Sequence, residues 1–106
     1  MQKKIYILDA SAIIGGFFSK SYANFTTSGA ILEIKDLKSE ILLQSAIEKG
    51  HIELEEPDEE DIEKIDEIIK SSGDILRLSD VDKHIVALAL KFKCESDNFF
   101  VNIRKP

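Results

Sequence analysis

Lys4-Ile-Tyr-Ile-Leu8 is an unbroken β-branched and aliphatic run that ends on an acid, Asp9. A strand with one wet face alternates polar and apolar residues. A continuous run fits a strand covered on both faces, as in a parallel sheet flanked by helices. Asp9 then stands at the carboxyl end of that strand, where ligands of open α/β sheets are bound.

The rest of the chain follows the same alternation of strand and helix. Ser11-Ala-Ile-Ile14 predicts a short helix broken at Gly15-Gly16, and residues 17–26 predict an irregular, aromatic-rich connection. Thr26-Thr27-Ser28 supply N-cap oxygens for a helix over about 29–36 that carries Glu33 among Ile31, Leu32 and Ile34. A helix over 37–49 follows, with Leu37, Ile41, Ala46 and Ile47 as apolar positions and Gly50 to end it. His51-Ile-Glu-Leu54 alternates as a short strand. Residues 58–70 form an amphipathic helix with an Ile62, Ile65, Ile68, Ile69 stripe and i,i+4 pairs Glu60/Lys64 and Asp66/Lys70. Ser71-Ser-Gly73 stops it. After a short segment at 74–78, Ser79 caps a largely buried helix to about Lys93. Residues 95–98 are a turn and Phe99–Ile103 a last strand. These elements predict an α/β domain with a parallel sheet and right-handed crossovers.

Composition narrows the function. The 106 residues, 43% hydrophobic and 32% charged, hold one domain with a core of its own. No apolar run approaches the roughly 18 residues of a membrane span, and no secretory signal is present, which predicts a cytoplasmic protein without a membrane partner. One cysteine, Cys94, and two histidines, His51 and His84, are too few for a structural zinc site, so any metal is held by oxygen. Cys94 reads as a helix-end residue and His84 as a packing or capping group. The net charge of −6, taken as an average, opposes a polyanionic partner. Yet Glu53–Glu67 holds ten acids and one base, leaving 13 bases against 10 acids elsewhere. The acidity belongs to a solvated helix face, or to a docking surface at 58–70 for a basic protein partner.

Three carboxylates are candidates for chemistry, and each has a plainer reading beside it. Asp9 could be only an N-cap. Glu33 could be only a surface residue. Asp82, three residues after Ser79, could be only half of a capping box, and Asp80 only a favourable charge on the helix dipole. Taken together, Asp9, Glu33 and Asp82 each lie near a helix start that can face one sheet edge. At about 4 Å and an effective dielectric near 20, each like-charged pair costs on the order of 4 kcal/mol, so a convergent trio requires a cation. An all-oxygen set suits Mg²⁺ or Mn²⁺, and such an ion suits phosphodiester hydrolysis.

At these residues the sequence resembles the PIN-domain ribonucleases, through Tyr6-Ile-Leu-Asp9-Ala-Ser11-Ala, Thr26-Thr-Ser-Gly-Ala-Ile-Leu-Glu33-Ile-Lys-Asp36, and Leu78-Ser-Asp-Val-Asp82 with Val86-Ala-Leu-Ala-Leu90. Within that superfamily, Glu33-Ile-Lys-Asp36 and the Leu-Ser-x-x-Asp helix are most similar to the archaeal and eukaryotic endonucleases that mature the three-prime end of small-subunit ribosomal RNA. The resemblance implies a three-layer α/β/α fold and a Mg²⁺- or Mn²⁺-dependent endoribonuclease acting on single-stranded RNA. It implies Asp9, Glu33 and Asp82 as catalytic, metal-holding residues and Ser11 as a small polar residue beside them. Pre-ribosomal RNA or the small ribosomal subunit is the implied partner.

The sequence departs from the family in two ways. A fourth acid expected after the last strand is missing: Asp97 precedes that strand, and Asn102 or Ile103 stands in the acid's region. The chain also stops at Pro106, short of a further strand and helix, so residues 1–106 read as a single, C-terminally truncated PIN-like domain. Its open edge predicts a homodimer.

A toxin of a toxin–antitoxin pair, with the same chemistry, and a non-catalytic module in ribosome assembly are the alternatives. Phosphoryl-transfer and receiver domains fit less well. Ser11 stands where the former needs a second aspartate, and Gln2-Lys-Lys4 is basic where a receiver has an acidic pair.

Overall fold

The computed structural model describes residues 3–16, 22–73, 78–95 and 99–104. Strand β1 (Lys3–Leu8) has a neighbour on either side. β2 (Ala23–Thr26) and β4 (Phe99–Arg104) flank it, and β3 (Glu53–Leu54) lies beyond β2, giving the order β3-β2-β1-β4 with every pairing parallel. The helices are α1 (Ala10–Gly15), α2 (Ser28–Leu32), α3 (Leu37–Glu48), α4 (Glu59–Ser71) and α5 (Asp80–Glu95).

Alternate side chains of β1 serve two separate cores. Tyr6 and Leu8 pack with Ala12 and Ile13 of α1 and with Leu43 and Ala46 of α3. Ile5 and Ile7 pack with Ala30 of α2 and with Ile85, Leu88 and Phe92 of α5. The strand is thus covered on both faces, which is why its sequence does not alternate.

Three expectations are corrected. The connection expected to be irregular contains β2. Its pattern is inverted: Asn24 and Thr26 are buried, while Ala23 and Phe25 are only partly covered. Backbone carbonyls make this affordable, because Asn24 Nδ2 donates to Tyr22 and His51, and Thr26 Oγ1 donates to Leu8 at 2.9 Å. The helix expected over 29–36 stops at Leu32, with Glu33 as its C-cap. Asp36 must be extended to cap α3, and its carboxylate accepts from the Ser39 N–H at 3.0 Å. Finally, α3 buries Ser39, Leu43 and Ala46, while Leu37 and Ile41 are 71% and 60% exposed.

In α4, Ile65 is buried and Ile68 exposed, and Asp66 pairs with Lys83 of α5 at 3.2 Å rather than with Lys70. Asp61 is buried in the acidic helix because its carboxylate turns back to accept from the Asp58 N–H at 3.3 Å. Gly50 and Gly73 close α3 and α4 with φ of 76° and 67°, a region that a side chain disfavours. Residues 17–21, 74–77 and 96–98, and with them all but the last residue of the expected segment at 74–78 and the part of the turn carrying Asp97, lie outside the described residues.

Hydrogen bonds from the Ser39 hydroxyl and the Ser39 N–H hold the Asp36 carboxyl below its ordinary 3.8. A folded-state pKa below the unfolded one stabilises above the ordinary carboxylate range, and that stabilisation is lost as pH falls through the lowered value. Asp36→Asn keeps a good cap but removes the titration. Between pH 5 and pH 2.5 its urea midpoint is expected to fall less than the parent's. An identical fall would show that Asp36 contributes nothing to acid sensitivity.

Candidate functional site

Asp9 is the residue immediately after β1, and its backbone is extended where α1 begins. One carboxylate oxygen, Oδ1, accepts from the Ala12 N–H at 2.9 Å. The capping reading is therefore correct for one oxygen. Among the described residues Oδ2 has no partner, and the side chain is only half-buried, so it faces an accessible edge.

The neighbouring strand end is tied to this one by the Thr26 hydroxyl on the Leu8 carbonyl. Thr27 then caps α2, its Oγ1 accepting from the Ala30 N–H at 3.2 Å. Gly29, in the first turn of α2, meets α5: a Cβ there would lie 3.4 Å from Val81 Cγ2, ordinary contact. The first turn of α5 is thereby brought to the carboxyl end of β2, and Asp82 is the next residue after Val81. Ser79 Oγ accepts from the Asp82 N–H at 3.1 Å, the forward half of a capping box. The return half is not made. The Asp82 carboxylate has no hydrogen bond or ion pair among the described residues, in contrast to Asp61 in α4, whose side chain completes its helix start.

Glu33 is less directly placed. It is the exposed C-cap of α2, about 7.5 Å along the helix from Ser28 at 1.5 Å per residue. Ser11 is exposed in α1, with no side-chain hydrogen bond among the described residues. The β1–β4 register sets Tyr6 opposite Asn102 and Leu8 opposite Arg104. Asn102 therefore lies two residues inside the carboxyl edge, not in the region of the missing acid. His84 bonds back along its own helix, its Nδ1–H donating to the Asp80 carbonyl one turn earlier at 2.6 Å.

Among the described residues, no three Asp, Glu, His or Cys side chains converge closely enough to hold a metal ion as they stand. The donor chemistry nevertheless fits a hard divalent cation. Asp9 and Asp82 both offer carboxylate oxygen that no described protein group uses, and Mg²⁺ keeps several waters while binding one or two carboxylates.

In the sequence the buried Thr26, which fixes the relative position of the two strand ends, reads only as a capping oxygen. The one signal it left was its place at the head of the Thr-Thr-Ser run.

A family model described as the PIN domain of ribonuclease matches residues 6–92, a span containing Asp9, Glu33 and Asp82. The chain is 35% identical over 91 residues to Endoribonuclease Nob1 of Methanothermobacter thermautotrophicus, covering 86% of this chain and 53% of the relative. It is 35% identical over 97 residues to Endoribonuclease Nob1 of Pyrococcus abyssi, covering 90% and 58%. A 32% identity over 103 residues relates it to the 20S-pre-rRNA D-site endonuclease NOB1 of Saccharomyces cerevisiae, covering 93% of this chain and 22% of that protein. The chain thus spans little more than half the length of the archaeal relatives. Domains of this family generally use divalent metal ions. Because the match runs from within β1 almost to the end of α5 and takes in Asp9, Glu33 and Asp82, the chain belongs to the PIN-domain ribonuclease family.

Proposed function

We propose that this chain is an endoribonuclease that cuts single-stranded RNA in the cytoplasm during maturation of small-subunit ribosomal RNA, with Asp9, Glu33 and Asp82 holding Mg²⁺ or Mn²⁺ and Ser11 beside them. The observation that carries this reading is the Asp82 carboxylate, which stands at a helix start beside the sheet edge and does not cap that helix. The names of the relatives support the RNA substrate and its ribosomal source.

When bound, a divalent ion supplies Lewis-acid polarisation of a phosphoryl oxygen and an activated water for in-line attack. The chain's own part is to position charge. The Ala12 N–H fixes one oxygen of Asp9 and so orients the other. The hydroxyl of Thr26 holds the β1 and β2 ends together, and Val81 of α5, packed on the core cluster that contains Ala30 of α2, holds the α2 and α5 starts together. Glu33, exposed at the far end of α2, is the third acid of the proposed set and would have to approach Asp9 and Asp82 to share their cation. Incubation with a labelled single strand and its duplex tests the reading. Cleavage of the single strand in MnCl₂, abolished by EDTA, is expected; equal cutting with EDTA rules the reading out.

Two associations belong to the same proposal. β4 ends the sheet order of the described strands, and an open parallel edge supports a homodimer. Glu59, Glu60, Glu63 and Glu67 of α4 are exposed, which supports docking of a basic protein partner there. Light scattering of the protein alone and with a lysine-rich peptide checks both. A monomeric mass and no gain with peptide would remove them.

No helix among the described residues is long and apolar enough to cross a membrane.

A further inference from the structure

We infer that Glu56 and Lys91 are positioning residues for this site, forming a clamp that sets α2 against the first turn of α5. The inference rests on the reading of Asp9 and Asp82 as metal-holding acids. Its origin is a donor that α2 cannot satisfy. Thr27 spends its hydroxyl on the Ala30 N–H, so the Ser28 N–H needs an acceptor from elsewhere. Glu56 supplies it from 28 residues downstream: Oε1 accepts from the Ser28 N–H at 2.6 Å, a short charge-assisted bond.

Glu56 is itself held. The loop after β3 carries Glu55, Glu56 and Asp58, three acids in four residues, which repel one another unless a cation intervenes. Lys91 of α5 is that cation. Its Nζ lies 3.0 Å from Glu55 Oε1, 3.7 Å from Asp58 Oδ1 and 3.2 Å from the Glu56 carbonyl oxygen, and its side chain is only 16% exposed. The Glu55 N–H also donates to the Thr26 carbonyl at 3.0 Å, fastening the loop to the end of β2.

The result is a closed mechanical path. Helix α5 sets Val81 beside Gly29, near enough that a methyl group there would touch it, and ten residues later holds through Lys91 the loop whose Glu56 grips Ser28. Two adjacent residues of α2 are therefore fixed from both sides, and Asp82 and Glu33 take their relative positions from that pair. The Glu56–Ser28 bond is exposed, and such contacts contribute little to global stability, so opening the clamp there is expected to leave the fold intact while α2 shifts against α5. Metal sites are sensitive to such shifts. Loss of an outer partner typically weakens binding about 10- to 100-fold.

The experiment titrates the full chain with MnCl₂, reading free Mn²⁺ by electron paramagnetic resonance, and measures hydrogen exchange at the Ser28 amide without metal. Glu56→Ala is expected to weaken Mn²⁺ binding about tenfold or more and to speed Ser28 exchange, with the urea midpoint nearly unchanged. Glu56→Gln, which keeps an acceptor, is expected to recover part of both. Lys91→Met should behave like Glu56→Ala, and Lys91→Arg like the parent. If Lys91→Met does not fold, the Glu56 pair decides alone. Parent-like Mn²⁺ affinity in Glu56→Ala, beside lost binding in Asp9→Asn, overturns the clamp. An equal loss in Glu60→Ala, an exposed acid of α4, also overturns it, because overall charge would then explain the effect. Unchanged binding in Asp9→Asn would instead overturn the underlying assignment of the site.

Discussion

Asp9→Asn is expected to slow cleavage of single-stranded RNA at least about a hundredfold while leaving the urea midpoint within experimental error of the parent's. The two readouts separate because asparagine caps a helix about as well as aspartate. The Ala12 N–H keeps an acceptor, α1 keeps its start, and the backbone after β1 is undisturbed. What disappears is a negative charge on the oxygen that the cap does not use. If that charge holds a catalytic ion, several kcal/mol of transition-state stabilisation are lost, and each 1.36 kcal/mol is tenfold in rate. Asp82→Asn is expected to match it in activity. It costs only a few tenths of a kcal/mol in stability, from the weaker interaction with the α5 dipole, because the Asp82 side chain completes no capping box. Single-turnover cleavage in saturating MnCl₂, with urea unfolding of the same preparations, gives both numbers. An Asp9→Asn variant that cuts at the parent's rate would reduce Asp9 to an N-cap.

The parts of this molecule that were legible in the sequence are those whose side chains act locally. β1 was visible because its buried residues 5–8 lack the polar alternation of a strand with one wet face, and α5 because residues such as Ile85, Leu88 and Phe92 recur at helical spacing. Asp9 stood out because an acid directly after such a strand needs a reason to be there. Strand β2 was hidden because its inward residues are Asn24 and Thr26, satisfied by carbonyls as distant as His51, and that satisfaction leaves no trace in local hydropathy. The end of α2 is misplaced for a related reason: from sequence Asp36 reads as the last residue of one helix, whereas its side chain begins the next. Glu56 could not have been singled out, since its partner is a backbone N–H 28 residues away and its own segment is a run of acids. Chemistry carried by a residue's place on its own element is readable. Chemistry assembled between elements is not.

Leu88→Ala and Leu37→Ala are expected to differ in cost by several kcal/mol, although the sequence places both leucines at apolar helical positions. Leu88 is fully buried against Ile5, Ile7 and Phe92, and deleting its branched end leaves a cavity between α5 and the sheet. Such changes cost about 2–5 kcal/mol, a large share of the roughly 5–15 kcal/mol that stabilises a domain of this size. With a urea m-value of about 1–2 kcal/mol/M, the midpoint is expected to fall by about 1 M or more. Leu37 is 71% exposed at the first position of α3, so its truncation removes few contacts and is expected to stay within about 0.5 kcal/mol of the parent. The comparison also tests whether the outer side of α3, where Ile41 is 60% exposed as well, is free in solution. A Leu37→Ala cost approaching that of Leu88→Ala, growing with protein concentration, would mean that a second copy of the chain covers that side. The self-association proposed through β4 would then have to move to α3.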